Sequence, residues 1–243
     1  MPDELTPAHF DLSRVGQLLT YQYAALQTLN AQVNIRFANE NPSLSTETDA
    51  VLAYRSPGRL YLRAYNRYIP QLFLLVVNGD RFWFYVPGES LVVTGTRDDL
   101  THARTFDLEV NGFDLLNGLL SKPLATGSTK EKGREKNYFA VNDYTSESAD
   151  QPSLLKRQIW IRTDTLDVER EWHYTEEGVR YLEIERSQFY DLKGWRLPKF
   201  VTLMRPRDQK TLVLMFWDTQ VNVPVKDSLF TFEPPAGVRV EKL

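Results

Sequence analysis

The chain has 243 residues, of which 42% are hydrophobic and 25% charged, and its formal net charge is -3. That length allows a sizeable core, and the near-neutral charge gives no ground for a nucleic-acid partner or for attraction to an anionic membrane. The absence of cysteine excludes a disulfide scaffold, thiol catalysis and Cys-ligated zinc.

Residues 1–10, MPDELTPAHF, carry no basic segment followed by an apolar one. Either the chain is cytoplasmic or an export signal ahead of it has been removed. Thr6-Pro7 is a helix-start signal. Leu12, Val15, Leu19, Leu26 and Leu29 follow at helical spacing, which predicts a helix over about 10–28. The period changes to two at Val33, Ile35 and Phe37, a first strand. Further strands are expected near 47–55, 58–65, 72–78, 81–86 and 90–95, with turns at Pro57-Gly58, Asn78-Gly79-Asp80 and Pro87-Gly88. The longest apolar run, Leu72 to Val77, is far short of the roughly 20 residues that span a bilayer.

Within Arg81–Val86, Phe82, Phe84 and Val86 point one way while Trp83 and Tyr85 point the other. A strand with one solvated face alternates apolar with polar. This one is apolar on both faces, which suggests a curved sheet wrapped around something greasy. Phe113, Leu115, Leu116, Leu119 and Leu120 then predict a short apolar helix over about 111–120, one that needs tertiary packing because Gly118 weakens it. The stretch 126–137, TGSTKEKGREKN, reads as a mobile loop, and 142–153 as a second polar loop. Antiparallel strands near 156–163, 168–174, 180–189, 199–205 and 211–218 complete a single domain over 1–243.

The ending reads Asp218-Thr219-Gln220-Val221-Asn222-Val223, then Asp227-Ser228-Leu229-Phe230-Thr231-Phe232, then Pro234-Pro235-Ala236-Gly237-Val238-Arg239-Val240. With Pro57-Gly58-Arg59-Leu60, Asn78-Gly79-Asp80-Arg81-Phe82-Trp83 and Ile159-Trp160-Ile161, it resembles the LolA/LolB-like lipoprotein carrier superfamily over about 12–243. The resemblance implies a mainly β fold with a few helices: an incomplete antiparallel β-barrel, or half-barrel, covered by α-helices, with helix 111–120 as cover. It also implies an apolar cavity for a lipid or lipoprotein acyl chain, in a protein of the periplasm or outer membrane. On the apolar count, the expected lining is Leu60, Leu62, Leu74, Phe82, Phe84 and Trp160, with Leu116 in the cover.

No catalytic or metal motif is legible by spacing. His9, His102 and His173 lack metal-ligand spacing, and no cofactor motif, P-loop or nucleophile elbow occurs. The expectation is therefore no catalytic residue, no metal and no cofactor. Tyr54, Tyr61, Tyr65 and Tyr68 among Arg55, Arg59, Arg63 and Arg67 read as a solvated outer face, or else as a polar rim for a headgroup. Two alternatives stay open: an envelope protein-interaction or sensor module on the same scaffold, and an enzyme in which His173 meets a serine and an acid.

Overall fold

The computed structural model describes residues 2–38, 46–96, 99, 112–124, 129–145, 154–192, 194–207 and 209–243. Where the sequence reads as one domain, the contacts fall into two compact units, 26–116 with 212–243, and 1–25 with 117–211.

The first unit holds β1 (Thr28–Ala38), β2 (Thr46–Arg55), β3 (Arg59–Tyr65), β4 (Phe73–Asn78), β5 (Arg81–Val86) and β6 (Leu91–Thr96). These six strands are joined as successive antiparallel pairs. The turn signals act as expected, with Gly58 and Gly79 in the left-handed region at φ 64° and 68°, a conformation glycine adopts without strain. β1 starts at Thr28, earlier than expected, because Leu29 is a strand residue opposite Tyr54 and not the end of a helical stripe. The helix proper, α1, is Val15–Ala25. A 3₁₀ turn, Leu12–Arg14, leads into it, and the Asp11 carboxylate caps that turn by accepting from the Ser13 amide.

Cross-strand register fixes which side chains share a face. Leu60 and Leu62 lie opposite Tyr54 and Leu52 on β2 and opposite Val77 and Leu75 on β4. Val77 and Leu75 in turn face Phe82 and Phe84 on β5. The other face carries Arg59, Tyr61, Arg63, Val76, Trp83 and Tyr85. This second face is partly covered by the chain itself. After β13 (Lys210–Val221), Asn222 takes a left-handed conformation, and its side-chain oxygen accepts from the amides of Gln27 and Thr28. The segment beyond it packs Val225, Leu229 and Phe230 on Ala53 and Tyr61, and sets Phe232 against Tyr85. Arg55 and Arg59 hold Asp227, and Arg55 also donates to the Val225 carbonyl. The doubly apolar strand β5 thus has a cover of its own on one side. β14 (Arg239–Lys242) then pairs with β6 in parallel.

The second unit holds β7 (Thr129–Glu135), β8 (Tyr138–Thr145), β9 (Leu154–Arg162), β10 (Val168–Tyr174), β11 (Arg180–Leu192) and β12 (Trp195–Arg205), hydrogen-bonded in that order. The expected loop over 126–137 is corrected here: 129–135 is a strand paired with β8 along its whole length, while 126–128 lie outside the described residues. Main-chain pairing with β8 makes this strand. The expected loop at 142–153 likewise gives way to β8 as far as Thr145, and 146–153 lie outside the described residues. On this sheet α1 and the N-terminal turn pack Leu5, Val15, Leu18 and Leu19 against Val141, Ile159, Ile161 and Val168. α2 (Gly112–Leu119) falls where the apolar helix is expected, and Phe113, Leu115, Leu116 and Leu119 are buried. Position 111 lies outside the described residues.

Candidate functional site

The buried face of β1–β6 is the candidate site. Its inward positions are Leu29, Ala31, Val33, Ile35 and Phe37 on β1, then Ala50, Leu52 and Tyr54 on β2. β3 adds Leu60, Leu62 and Ala64, and β4 adds Phe73, Leu75 and Val77. Phe82, Phe84 and Val86 on β5 face Gly95, Val93 and Leu91 on β6. The polar interruptions are threonines, Thr46 and Thr48, and no described inward position of these strands is charged. Phe37, Phe73 and Phe84 form an aromatic row, with ring centroids 6.5 and 5.5 Å apart, spacings at which aromatic pairs attract beyond simple burial. Phe37 and Phe73 are half-buried, whereas Leu60, Leu62, Phe82 and Phe84 are buried.

Four of the six expected lining residues therefore share this face. Leu74 does not: it pairs with Arg63 and Tyr85 and points to the opposite side, half-buried. The apolar run Leu72–Val77 hid this, since every position in it is hydrophobic and only register separates the faces. Trp160 does not join them either. It belongs to the other unit and to the face of β9 opposite Ile159 and Ile161, where its ring lies 4.3 Å from that of Trp172. The Arg180 guanidinium sits 4.3 Å over Trp172. Leu116 is buried in α2. Of the tyrosine and arginine series, Arg55, Arg59, Tyr61, Arg63 and Tyr65 do share the outer face, but Tyr54 points inward and Arg67 and Tyr68 sit at the β3–β4 turn.

The β7–β12 unit buries a cluster of charge that sequence reasoning missed. Glu171, only 1% exposed, accepts from Arg157 Nη1 at 3.2 Å and from Arg186 Nη2 at 3.3 Å. Arg157 Nη2 also donates to Asp143 Oδ2 at 3.2 Å, and His173 Nε2 lies 3.0 Å from Glu171 Oε1. Arg186 donates to the carbonyls of Asn117 (2.6 Å) and Gly118 (2.8 Å) in the last turn of α2. Arg157 donates to those of Lys122 (3.0 Å) and Pro123 (3.3 Å) just beyond it. The last carbonyls of a helix lack partners within it, and here the Arg186 guanidinium supplies one at the negative end of the dipole. Gly118 lets the helix approach, since a Cβ there would stand 3.1 Å from Leu203 and 3.2 Å from Val201. Burial alone would raise the Glu171 pKa, but Arg157, His173 and Arg186 hold it well below the usual carboxylate range. Burial pushes the Arg186 pKa down against the pull of Glu171. The carboxylate next to His173 is thus locked in an ion network, which is a structural arrangement and not one that releases a proton near neutral pH. Among the described residues no group of three or more His, Cys, Asp or Glu could hold a metal, and no helix is long and apolar enough to cross a membrane.

Strand order, paired faces and helices define a LolA/LolB-like fold, the half-barrel class that the sequence resembles. Three solved structures carry that likeness. A DUF1329 family protein from Desulfovibrio piger is 14% identical with a TM-score of 0.67, covering 91% of this chain and 98% of its own. A putative outer membrane lipoprotein-sorting protein domain from Vibrio parahaemolyticus is 10% identical with a TM-score of 0.67, over 90% and 97%. A LolA superfamily protein from Nitrosomonas europaea is 12% identical with a TM-score of 0.62, over 89% and 97%. No sequence-family profile and no curated protein matches the chain.

Proposed function

We propose that this protein binds a lipid, or the acyl chain of a lipoprotein, without covalent chemistry, on the buried face of β1–β6, and that it works in the bacterial cell envelope. The observation that carries this reading is the charge-free, mostly apolar array of described inward side chains across six strands. Leu60, Leu62, Phe82 and Phe84 line the site, and Leu116 in α2 belongs to its cover. The fold shared with a lipoprotein-sorting domain supports the reading.

The mechanism is burial. Each methylene kept from water contributes about 0.8 kcal/mol, so a long acyl chain on a dry protein surface is held much as it is in a bilayer, and exchange between the two is nearly balanced. Because the lining is shielded, a guest enters only when the cover moves and release follows when it returns, an exchange between two populated arrangements. The same shielding favours a second reading, an interaction or sensor module whose sheet needs no guest.

Native mass spectrometry of protein purified from cells, together with binding of a fluorescent fatty acid, separates the two. A co-purifying lipid is expected. Phe73→Glu, at a half-buried position of the face, is expected to weaken fatty-acid binding about tenfold or more, since a carboxylate there must be desolvated, with the unfolding temperature little changed. If no lipid co-purifies and the probe binds no better than to a control protein, the lipid reading fails and the module reading stands.

A further inference from the structure

The outer face of β1–β4 holds an arginine that the fold leaves without an anion. Arg55, Arg59, Arg162 and Arg180 are half-buried, and each meets a carboxylate. Arg63, in the middle of β3, is half-buried as well. Its Nε is shielded from solvent and meets no acceptor, and among the described residues no carboxylate lies within ion-pair distance of its guanidinium. Shielding part of a cation without an anion costs free energy that a bound anion returns.

Strand pairing places its neighbours. Arg63 lies opposite Val51 on β2 and Leu74 on β4, and Val51 lies opposite Gln32 on β1. Gln32, Val51, Arg63 and Leu74 therefore form one cross-strand row. Tyr65, two residues along β3, donates from its hydroxyl to Gln32 Oε1 at 3.0 Å. That bond carries the Gln32 amide over β2 toward the strand that bears Arg63. With Oε1 engaged by Tyr65, what Gln32 adds to the row is Nε2, a donor. Asp49, the carboxylate two residues along β2, is exposed and accepts from Asn34 Nδ2 at 3.2 Å instead. Arg55 and Arg59 share one carboxylate, that of Asp227. The arginines of this face thus outnumber the carboxylates that meet them.

A guanidinium fork matches the oxygens of a carboxylate or a phosphate two at a time. The fork alone saturates a carboxylate, whereas a further donor beside it suits the third oxygen of a phosphate. We propose that Arg63 and Gln32 form a phosphate-binding site on the outer face of β1–β4. Arg63 grips two oxygens of the phosphate through Nε and Nη, Gln32 Nε2 donates to a third, and the apolar side chain of Val51 lies beneath. The phosphate is that of a lipid headgroup or a free one. The site lies on the face opposite Leu60 and Leu62, so it stands apart from acyl-chain binding, and either can fail without the other.

The test follows the Arg63 Nε–H signal by nuclear magnetic resonance in the isotope-labelled full chain. The probes are inorganic phosphate, dihexanoylphosphatidylglycerol and, as the carboxylate control, acetate. Phosphate is expected to shift the signal and saturate in the millimolar range, and acetate to bind about tenfold more weakly. Tighter binding of the lipid supports the site and marks a headgroup as its source, while equal binding supports it for free phosphate. Gln32→Glu keeps an acceptor for Tyr65 and brings a carboxylate to Arg63, and it is expected to weaken phosphate binding about tenfold or more. Arg63→Lys keeps the charge without the fork and is expected to weaken it as well, with fluorescent fatty-acid binding the same as in wild type. The proposal is overturned if neither phosphate moves the signal, if acetate binds as tightly as phosphate, or if both variants bind phosphate like wild type.

Discussion

The strands of the two units bury their inner faces in different ways. β1–β6 set leucine, valine, isoleucine and phenylalanine inward with no charge among the described positions. β8–β11 set Asp143, Arg157, Glu171 and Arg186 among Val141, Ile159, Ile161 and Ile184. Apolar burial is non-directional, so anything of suitable volume can cover the first face. Buried charges are directional. Arg157 and Arg186 require a carboxylate and four particular carbonyls, those of Asn117, Gly118, Lys122 and Pro123. The apolar face suits exchange of what covers it, and the ionic face suits one fixed neighbour.

Removing Glu171 breaks the comparison most sharply. Glu171→Leu leaves Arg186 buried without its carboxylate and Arg157 with Asp143 alone, and the expected loss is about 3–5 kcal/mol in urea denaturation. On the apolar face, Leu62→Ala deletes buried methyl groups and is expected to cost about 3 kcal/mol. If the first change costs less than the second, the network is not the organising feature of its unit.

The same carboxylate gives the units different responses to acid. Its folded pKa lies below the unfolded value of about 4.3. The contribution is therefore full above that pH and is lost as pH falls toward the folded value, because the unfolded state binds the proton first. Stability is expected to drop by up to about 1.4 kcal/mol per pH unit from this group below about pH 4. In Glu171→Gln that part of the slope disappears. An unchanged acid limb in the variant would show that other carboxylates set it.

Much of this architecture is legible in the sequence, and the failures have physical causes. Turn residues and alternation mark the strands of both units, and α2 falls where an apolar cluster with Gly118 predicts it. Period-two reasoning places Leu60, Leu62, Phe82 and Phe84 on one face because polar or differently sized residues separate them. It misplaces Leu74, where the run is apolar throughout and only pairing with Arg63 and Tyr85 decides the side. The ionic cluster has a sequence signal that goes unused when alternation is read for apolar residues alone. Arg157 shares parity with Ile159 and Ile161, Asp143 with Val141, and Arg186 with Leu182 and Ile184. A charge at an inward position is either an error of register or half of a buried pair. β7 was hidden for the opposite reason, since main-chain pairing at a sheet margin asks nothing of hydrophobic pattern.

The smallest expected effect lies at the β3–β4 turn, and it sharpens what holds the apolar unit together. Tyr68 is 85% exposed and Ile69 is exposed beside it, so their rings and methyls bury little. The turn is shaped instead by Asn66, whose side-chain oxygen accepts from the amides of Tyr68 and Ile69 at 2.9 and 2.8 Å. Such a side-chain-to-backbone bridge fixes a turn locally, without help from the core. Asn66→Ala is therefore expected to cost about 1 kcal/mol, and Tyr68→Ser less than about 0.5 kcal/mol, both read from urea midpoints. The reverse order would mean that the ring packs on something in solution, and that the turn, like the inner face of the same sheet, depends on what covers it.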